Sequence, residues 1–243
     1  MIQPTWQTED GAIRCYLGDC LDIRPTLEPG SVDAVVTDPP YGIDWTAGGP
    51  ESKARAKGGY EASWLDSQHY VRTVCAAAVG ICLALTSRMA LTPGRTNVWH
   101  YPPATDMGCF YQPAAMGCSF WGRPTWQPIL FYGNAPHNGE QLRPLHYVLT
   151  EAAEANGHPC PKPIRAWTWL VIKATKESDT VLDPFAGSFT TAVACIRTGR
   201  RFIGIEKEPK YFDIGIKRIE AELSRHRLFE PAPKIVQRSI FGE

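Results

Sequence analysis

Asp38-Pro39-Pro40-Tyr41 sets a carboxylate, two stiff residues and an aromatic ring directly after an apolar run, Ser31 to Thr37 (SVDAVVT). That group of side chains suits a planar amine. The exocyclic amino group of adenine or cytosine is a weak nucleophile because its lone pair is delocalised into the ring, so a catalyst has to hold its protons and orient that pair. The Asp38 carboxylate and the Pro39 carbonyl supply two acceptors, the prolines fix the backbone that carries them, and Tyr41 offers a face on which an extruded base can lie. No covalent intermediate is required. The bland alternative is a Pro-Pro turn closing a strand, against which Tyr41 and the preceding apolar run speak.

A second segment, Val181-Leu182-Asp183-Pro184-Phe185-Ala186-Gly187-Ser188-Phe189-Thr190-Thr191, reads as a strand, a small-residue turn and a helix start, the usual cradle for a nucleoside-bearing cofactor. Glu206 ends the next apolar run, 23 residues beyond Asp183. A carboxylate at about that distance takes ribose hydroxyls in nucleotide-binding folds. Alone, each half is an ordinary strand-to-helix turn or an exposed Glu; together they point to a nucleoside.

These segments resemble the beta-group DNA amino-methyltransferases, enzymes that use S-adenosylmethionine to methylate adenine N6 or cytosine N4. The resemblance spans nearly the whole chain: GDCLDI at Gly18 to Ile23, TDPPYG at Thr37 to Gly42, GHPCPKP at Gly157 to Pro163, VLDPFAGSFTT, and RRFIGIE followed by YFDIGIKRI. It implies DNA as the partner and S-adenosylmethionine, or a derivative of it, as the cofactor. Asp38, Pro39, Pro40 and Tyr41 become the amine-binding site. Lys162 is implied near the methionine carboxylate, Asp183, Phe185, Gly187 and Ser188 in the cofactor turn, Glu206 at the ribose and Asp19 near the adenine. The cofactor turn follows the DPPY segment, a permuted order that separates the chain from glutamine and other non-DNA methyltransferases with a similar Pro-Pro-Tyr element.

The Asp of DPPY leans toward adenine N6, since cytosine-N4 enzymes often carry Ser there, and cytosine N4 stays open. So does a cofactor-impaired DNA-binding relic, because Phe189 stands where the family's GSGTT has glycine. A positive φ at that position would strain a non-glycine residue by about 1–2 kcal/mol. The ring would then crowd the cofactor, turn outward onto the helix, or mark a site reshaped for another cofactor. Pro159-Cys160 has the look of a carbon-5 cytosine methylase nucleophile, but it lies in the cofactor-side segment and no second catalytic segment accompanies it.

Positioning these groups requires strands and helices in alternation. The periodicity predicts strands at Ile13 to Leu17, Ser31 to Thr37, Thr96 to Trp99, Gln127 to Tyr132, Thr180 to Leu182 and Arg201 to Ile205. Helices are predicted at Leu21 to Leu27, Trp64 to about Arg88, Pro163 to about Ala174, Thr190 to Arg197 and Pro209 to about Arg225. The expected class is α/β, a Rossmann-like methyltransferase fold in permuted order, with a mainly parallel sheet and helices on both faces, one domain over 1–243. Two Gly- and Pro-rich interruptions remain. Residues 44 to 63 are expected as a mobile DNA-contacting loop in which Lys53, Arg55 and Lys57 clamp phosphates. Residues from about 100 to 156 are expected as a target-recognition insertion, rich in aromatic side chains, with Arg123 and Arg143 reading bases or phosphates.

Composition sets the outer bounds. With 44% hydrophobic and 21% charged residues the chain is not mainly disordered, and 25 Lys plus Arg against 25 Asp plus Glu mean that a polyanion must be held by a local patch. The longest apolar run, Val74 to Leu85, is short of the roughly 20 residues that cross a bilayer, so no membrane span is expected. MIQPTWQTED lacks a basic leader and an apolar signal core, which suggests a cytoplasmic protein. Eight cysteines without a single C-x-x-C pair read as reduced, mostly buried thiols, with no metal expected. Oligomeric state and a restriction partner stay open; a dimer is compatible with the sequence.

Overall fold

The computed structural model describes residues 2–42, 67–111, 125–136, 146–148 and 162–229. Nine strands, β1 (Trp6–Gln7), β2 (Ile13–Leu17), β3 (Ala34–Thr37), β4 (Met89–Leu91), β5 (Asp106–Tyr111), β6 (Trp126–Tyr132), β7 (His146–Val148), β8 (Thr180–Asp183) and β9 (Arg201–Glu206), form one sheet in the order β1-β2-β9-β8-β3-β4-β6-β5-β7. From β2 through β9, β8 and β3 to β4 every neighbour is parallel, and β6 then turns antiparallel to both β4 and β5. Strands β3 (AVVT) and β8 (TVLD) are buried at every position, the continuous apolar run that a strand covered on both faces needs.

Helices cover the two faces. On one side α4 (Ile164–Ala174), α5 (Thr190–Arg197) and α6 (Pro209–Phe229) bring Trp167, Leu170, Cys195 and Phe212 against Cys15, Val36, Val181 and Phe202. On the other, α1 (Cys20–Ile23), α2 (Gln68–Tyr70), a π turn at Val71–Cys75 and α3 (Ala76–Leu85) pack Ile23, Val71, Cys75 and Val79 on Val35, Leu182 and Ile205. Asp19 caps α1 by accepting from the Leu21 N–H, and Ser67 caps α2 through the Tyr70 N–H. Gln68–Leu85 is long and apolar enough to cross a membrane by length and composition. Its Tyr70, Val71, Cys75, Val79 and Cys82 face is spent on the sheet, the use a globular domain makes of such a helix.

The expected elements around β2, β3, β6, α4, β8, α5, β9 and α6 are present. Thr96 to Trp99 is not a strand: it lies in a loop that closes with a 3-10 turn at Val98–His100. The strand is Met89–Leu91, directly after the stretch to about Arg88 that helical periodicity assigns to the long helix, where no strand is expected. The helix stops at Leu85 because Thr86 turns extended and donates its hydroxyl to Asp33 O at 2.7 Å, which hands the chain to the sheet. Strand β5, in a region that reads as irregular, is exposed or half-exposed at every position but Phe110 and so carries little apolar periodicity. Cys15, Cys20, Cys75, Cys82 and Cys195 are buried, as expected, and burial pushes the Cys20 and Cys82 thiols up to about 12.

Phe189 does adopt the left-handed conformation, with φ +56° and ψ +38°, at the N-cap of α5. Its ring neither crowds the turn nor points outward. It is fully buried between β9 and α6, edge-on to Phe202 at 6.1 Å and to Phe212 at 5.6 Å. Gly204 and Gly215 make the room, since a Cβ on Gly215 would fall 1.8 Å from the Phe189 Cδ2. Replacing Phe189 by Gly relieves about 1–2 kcal/mol of strain but empties a ring-sized site worth about 3–5 kcal/mol. The expected net loss is about 1–4 kcal/mol, read as a lower urea midpoint at unchanged slope; a variant as stable as the parent would show that the ring is not an anchor.

Candidate active site

The parallel strands deliver their carboxylates to one edge of the sheet. Leu17 is level with Glu206, Asp183 with Gly204, Val35 with Leu182 and Thr37 with Leu91. Asp19, Glu206, Asp183, Asp38 and Thr92 therefore follow one another across the edge formed by the ends of β2, β9, β8, β3 and β4.

Asp183 is buried and fully engaged. It accepts from Thr191 Oγ1 at 2.5 Å, Thr37 Oγ1 at 2.7 Å and the Phe185 N–H at 3.1 Å. Burial nevertheless pushes its carboxyl up to about 6. Glu206 accepts from the Gly187 N–H at 2.7 Å and the Glu208 N–H at 2.8 Å, and burial pushes it up to about 7. The left-handed Gly187, at φ +53°, aims its N–H at that carboxylate. Each Glu206 oxygen keeps a second acceptor position, which fits a vicinal diol. Asp19 meets Lys207 Nζ at 2.8 Å; burial alone would raise its carboxyl, but Lys207 and the Leu21 N–H hold it below the usual range. Ser188 is buried and its hydroxyl accepts from Arg218 Nη1 of α6 at 3.0 Å, so it braces the turn from behind. Arg218 also reaches Thr190 Oγ1 at 3.0 Å.

Asp38 lies one strand away. Its Oδ1 accepts from Thr92 Oγ1 and from the Tyr41 hydroxyl, and its Oδ2 is 2.6 Å from Lys162 Nζ. Lys162 also donates to the Tyr41 hydroxyl at 3.2 Å and sits 4.8 Å above that ring's centre. The ammonium that the family resemblance assigns to a methionine carboxylate is here the ion-pair partner of Asp38. Serving the cofactor requires it to exchange partners.

Tyr41 is held from three sides. Asn97 Nδ2 donates to its carbonyl at 2.7 Å and Gln68 Nε2 at 3.2 Å, while Gln127 Nε2 donates to its hydroxyl. Gly94, at φ +74°, lies against the ring so closely that a Cβ would fall 2.9 Å from Cγ. Thr92, Asn97, Gln68 and Gln127 carry no local sequence signal, because each acts on Tyr41 or Asp38 only through the tertiary fold. Gln127 reaches the site because β5 and β6 continue past the end of β4: Leu91 is level with Leu130, whereas their ladder runs on to Tyr111 and Trp126. Of the aromatic side chains in this region, Tyr101, Phe110 and Tyr132 are core. Phe110 stacks on Trp167 at 5.6 Å. Lys53, Arg55, Lys57, Arg123 and Arg143, with residues 44 to 63 and 157 to 161, lie outside the described residues.

Two outcomes test this geometry. Asn97 is wholly buried and donates to the carbonyls of Tyr41 and Pro93, so Asn97→Ala strands the buried Pro93 carbonyl and leaves Gln68 as the side-chain donor to that of Tyr41. A stability loss of about 2 kcal/mol is expected in a denaturant titration, where no loss would sink the anchoring role. The raised carboxyls of Asp183 and Glu206 mean that the folded chain holds extra protons between about pH 4, where such groups ionise in the unfolded chain, and about pH 7. Stability of the protein without cofactor should therefore fall as pH rises through that window, and Glu206→Gln should flatten the fall in thermal melts.

A family model described as DNA methylase matches residues 86–217. Type II methyltransferase M2.DpnII of Streptococcus pneumoniae is 37% identical over 128 residues, 49% of this chain and 48% of that protein. DNA adenine methyltransferase YhdJ of Escherichia coli (strain K12) is 38% identical over 103 residues, 42% of this chain and 33% of that protein. The matched segments thus span about half or less of these curated relatives. A crystal structure of the M1.HpyAVI-SAM complex shares the fold, with a TM-score of 0.59 and 22% identity over 85% of this chain and 98% of the other. With more than half of its length matched by the family model and the carboxylates of that model's segment lined up on one sheet edge, the chain belongs to the DNA methylase family.

Proposed function

We propose that the protein transfers a methyl group from S-adenosylmethionine to the exocyclic amine of a base drawn out of DNA, and that the base is adenine, modified at N6. The observation that carries this reading is the ion-paired Asp38 just past β3 standing beside the turn that springs from the buried Asp183 at the end of β8, so that an amine held at Asp38 faces a nucleoside held by that turn. The name of YhdJ as an adenine methyltransferase supports adenine over cytosine N4. The Type II naming of M2.DpnII supports a restriction-modification setting. One methyltransferase domain over 1–243, with Lys53, Arg55, Lys57, Arg123 and Arg143 on the DNA, is part of the same proposal.

S-Adenosylmethionine supplies an electrophilic methyl group. Glu206 takes the ribose hydroxyls, Phe185 and Asp19 border the adenine, and Gly187 keeps the turn open. Tyr41 stacks on the target base, while Asp38 and the Pro39 carbonyl accept the two amine protons and point the lone pair toward the cofactor. Asp38 reaches the amine only after giving up a present partner, and Lys162 is the one whose charge the cofactor's carboxylate can take over. The proton that the amine sheds after transfer has the Asp38 carboxylate within reach.

Asp38→Ala should lower methyl transfer by at least about a hundredfold, since it removes an acceptor of the reacting group, without weakening cofactor affinity, because Lys162 no longer has to leave Asp38 to meet the cofactor. Mass spectrometry of nucleosides from DNA of cells expressing the protein should show N6-methyladenine. N4-methylcytosine would overturn the base assignment, and near-normal turnover by Asp38→Ala would overturn the site.

A further inference from the structure

The loop of residues 92 to 100 leaves β4 at the edge that carries Asp38. Its inward residues are fixed. Pro93, Gly94 and Asn97 are buried, Gly94 lies against the Tyr41 ring, and Asn97 ties the Tyr41 carbonyl at 2.7 Å to that of Pro93 at 3.2 Å. Its outward residues are Arg95, Thr96 and Trp99. Trp99 is 87% exposed, the most exposed large apolar side chain among the described residues. Beside it, Arg72 Nε donates to His100 Nε2 at 3.4 Å. That contact holds the Arg72 guanidinium against the residue that follows Trp99.

We propose that Trp99 is a DNA contact whose indole stacks on a base bordering the one drawn out to Tyr41, an inference that rests on the DNA-methyltransferase reading. An extruded nucleotide leaves its neighbours with an uncovered face, and an aromatic ring covers such a face whatever the base. Arg72 and Arg95 supply the cations that the flanking phosphates call for. The indole is not on a loose arm: two residues away Asn97 is fastened to the backbone of Tyr41, so both rings are presented in a fixed relation. A base seated on Trp99 thereby sets where the next one falls relative to Tyr41.

The test is binding of a short fluorescein-labelled mixed-sequence DNA duplex by the full chain and by Trp99→Ala and Trp99→Phe, with methyl incorporation into the same DNA by the unaltered chain followed in parallel. Trp99→Ala should weaken binding about tenfold, equivalent to about 1.4 kcal/mol, and Trp99→Phe should recover most of it. The slope of log affinity on log salt should not change, because the indole neutralises no phosphate. Cofactor affinity and melting temperature should also hold. Normal DNA binding by Trp99→Ala while the unaltered chain still methylates would overturn the Trp99 contact alone. So would sedimentation showing that Trp99→Ala dissociates a dimer without changing DNA affinity, since the indole would then cover a second copy. Failure of the unaltered chain to methylate or bind the duplex would remove the DNA reading beneath it.

Discussion

The hydrogen bond from Thr37 Oγ1 to Asp183 joins the strand that leads into the DPPY segment to the strand that leads into the turn from Phe185 to Phe189, across 146 residues of chain. Its geometry follows from the parallel register of β3 and β8, in which Val35 is level with Leu182. Were that register to slip by one residue, Thr37 would face the other side of the sheet and the two halves of the site would no longer meet. Everything at the edge inherits its position from this pairing. Asp38 follows Thr37 directly, and the turn from Phe185 to Phe189 springs from Asp183.

The edge holds its charges unequally. Asp183 and Glu206 are buried among N–H and hydroxyl donors and resist ionisation, whereas Asp38 and Asp19 are each met by an ammonium group. Neutralisation by a lysine leaves a carboxylate that a better partner can claim. Neutralisation by fixed backbone donors gives one that stays put. The first kind suits a group that meets a substrate and releases it, and the second suits one that must keep its place, as Asp183 does in bracing the turn and Glu206 in presenting its spare acceptor positions.

Legibility in the sequence divides along the same line. Strand ends with their carboxylates, the small-residue turn and the long amphipathic helices are local patterns, so Asp38, Asp183, Glu206 and α4 to α6 can be read from spacing. Thr92, Asn97 and Gln127 cannot. Their roles arise because β4 is a three-residue strand hidden behind a helical pattern and because β6 runs past its neighbour. Lys162 is a mixed case: its place in the motif is plain, but its partner in the structure is Asp38, which no spacing rule reveals. Phe189 shows the reverse, since its strained backbone follows from comparison with the family's glycine, while the direction of its ring depends on two distant glycines.

Gly204 and Gly215 give the Phe189 ring its space, and no side chain at either position leaves that space intact. The turn after β8 and helix α6 are thus epistatic. A chain with glycine at position 189 is free to accept a side chain at 215, but one with phenylalanine there is not, so the order in which such substitutions accumulate is constrained. Engineering that grafts another family member's turn onto this scaffold has to carry the matching face of α6 with it.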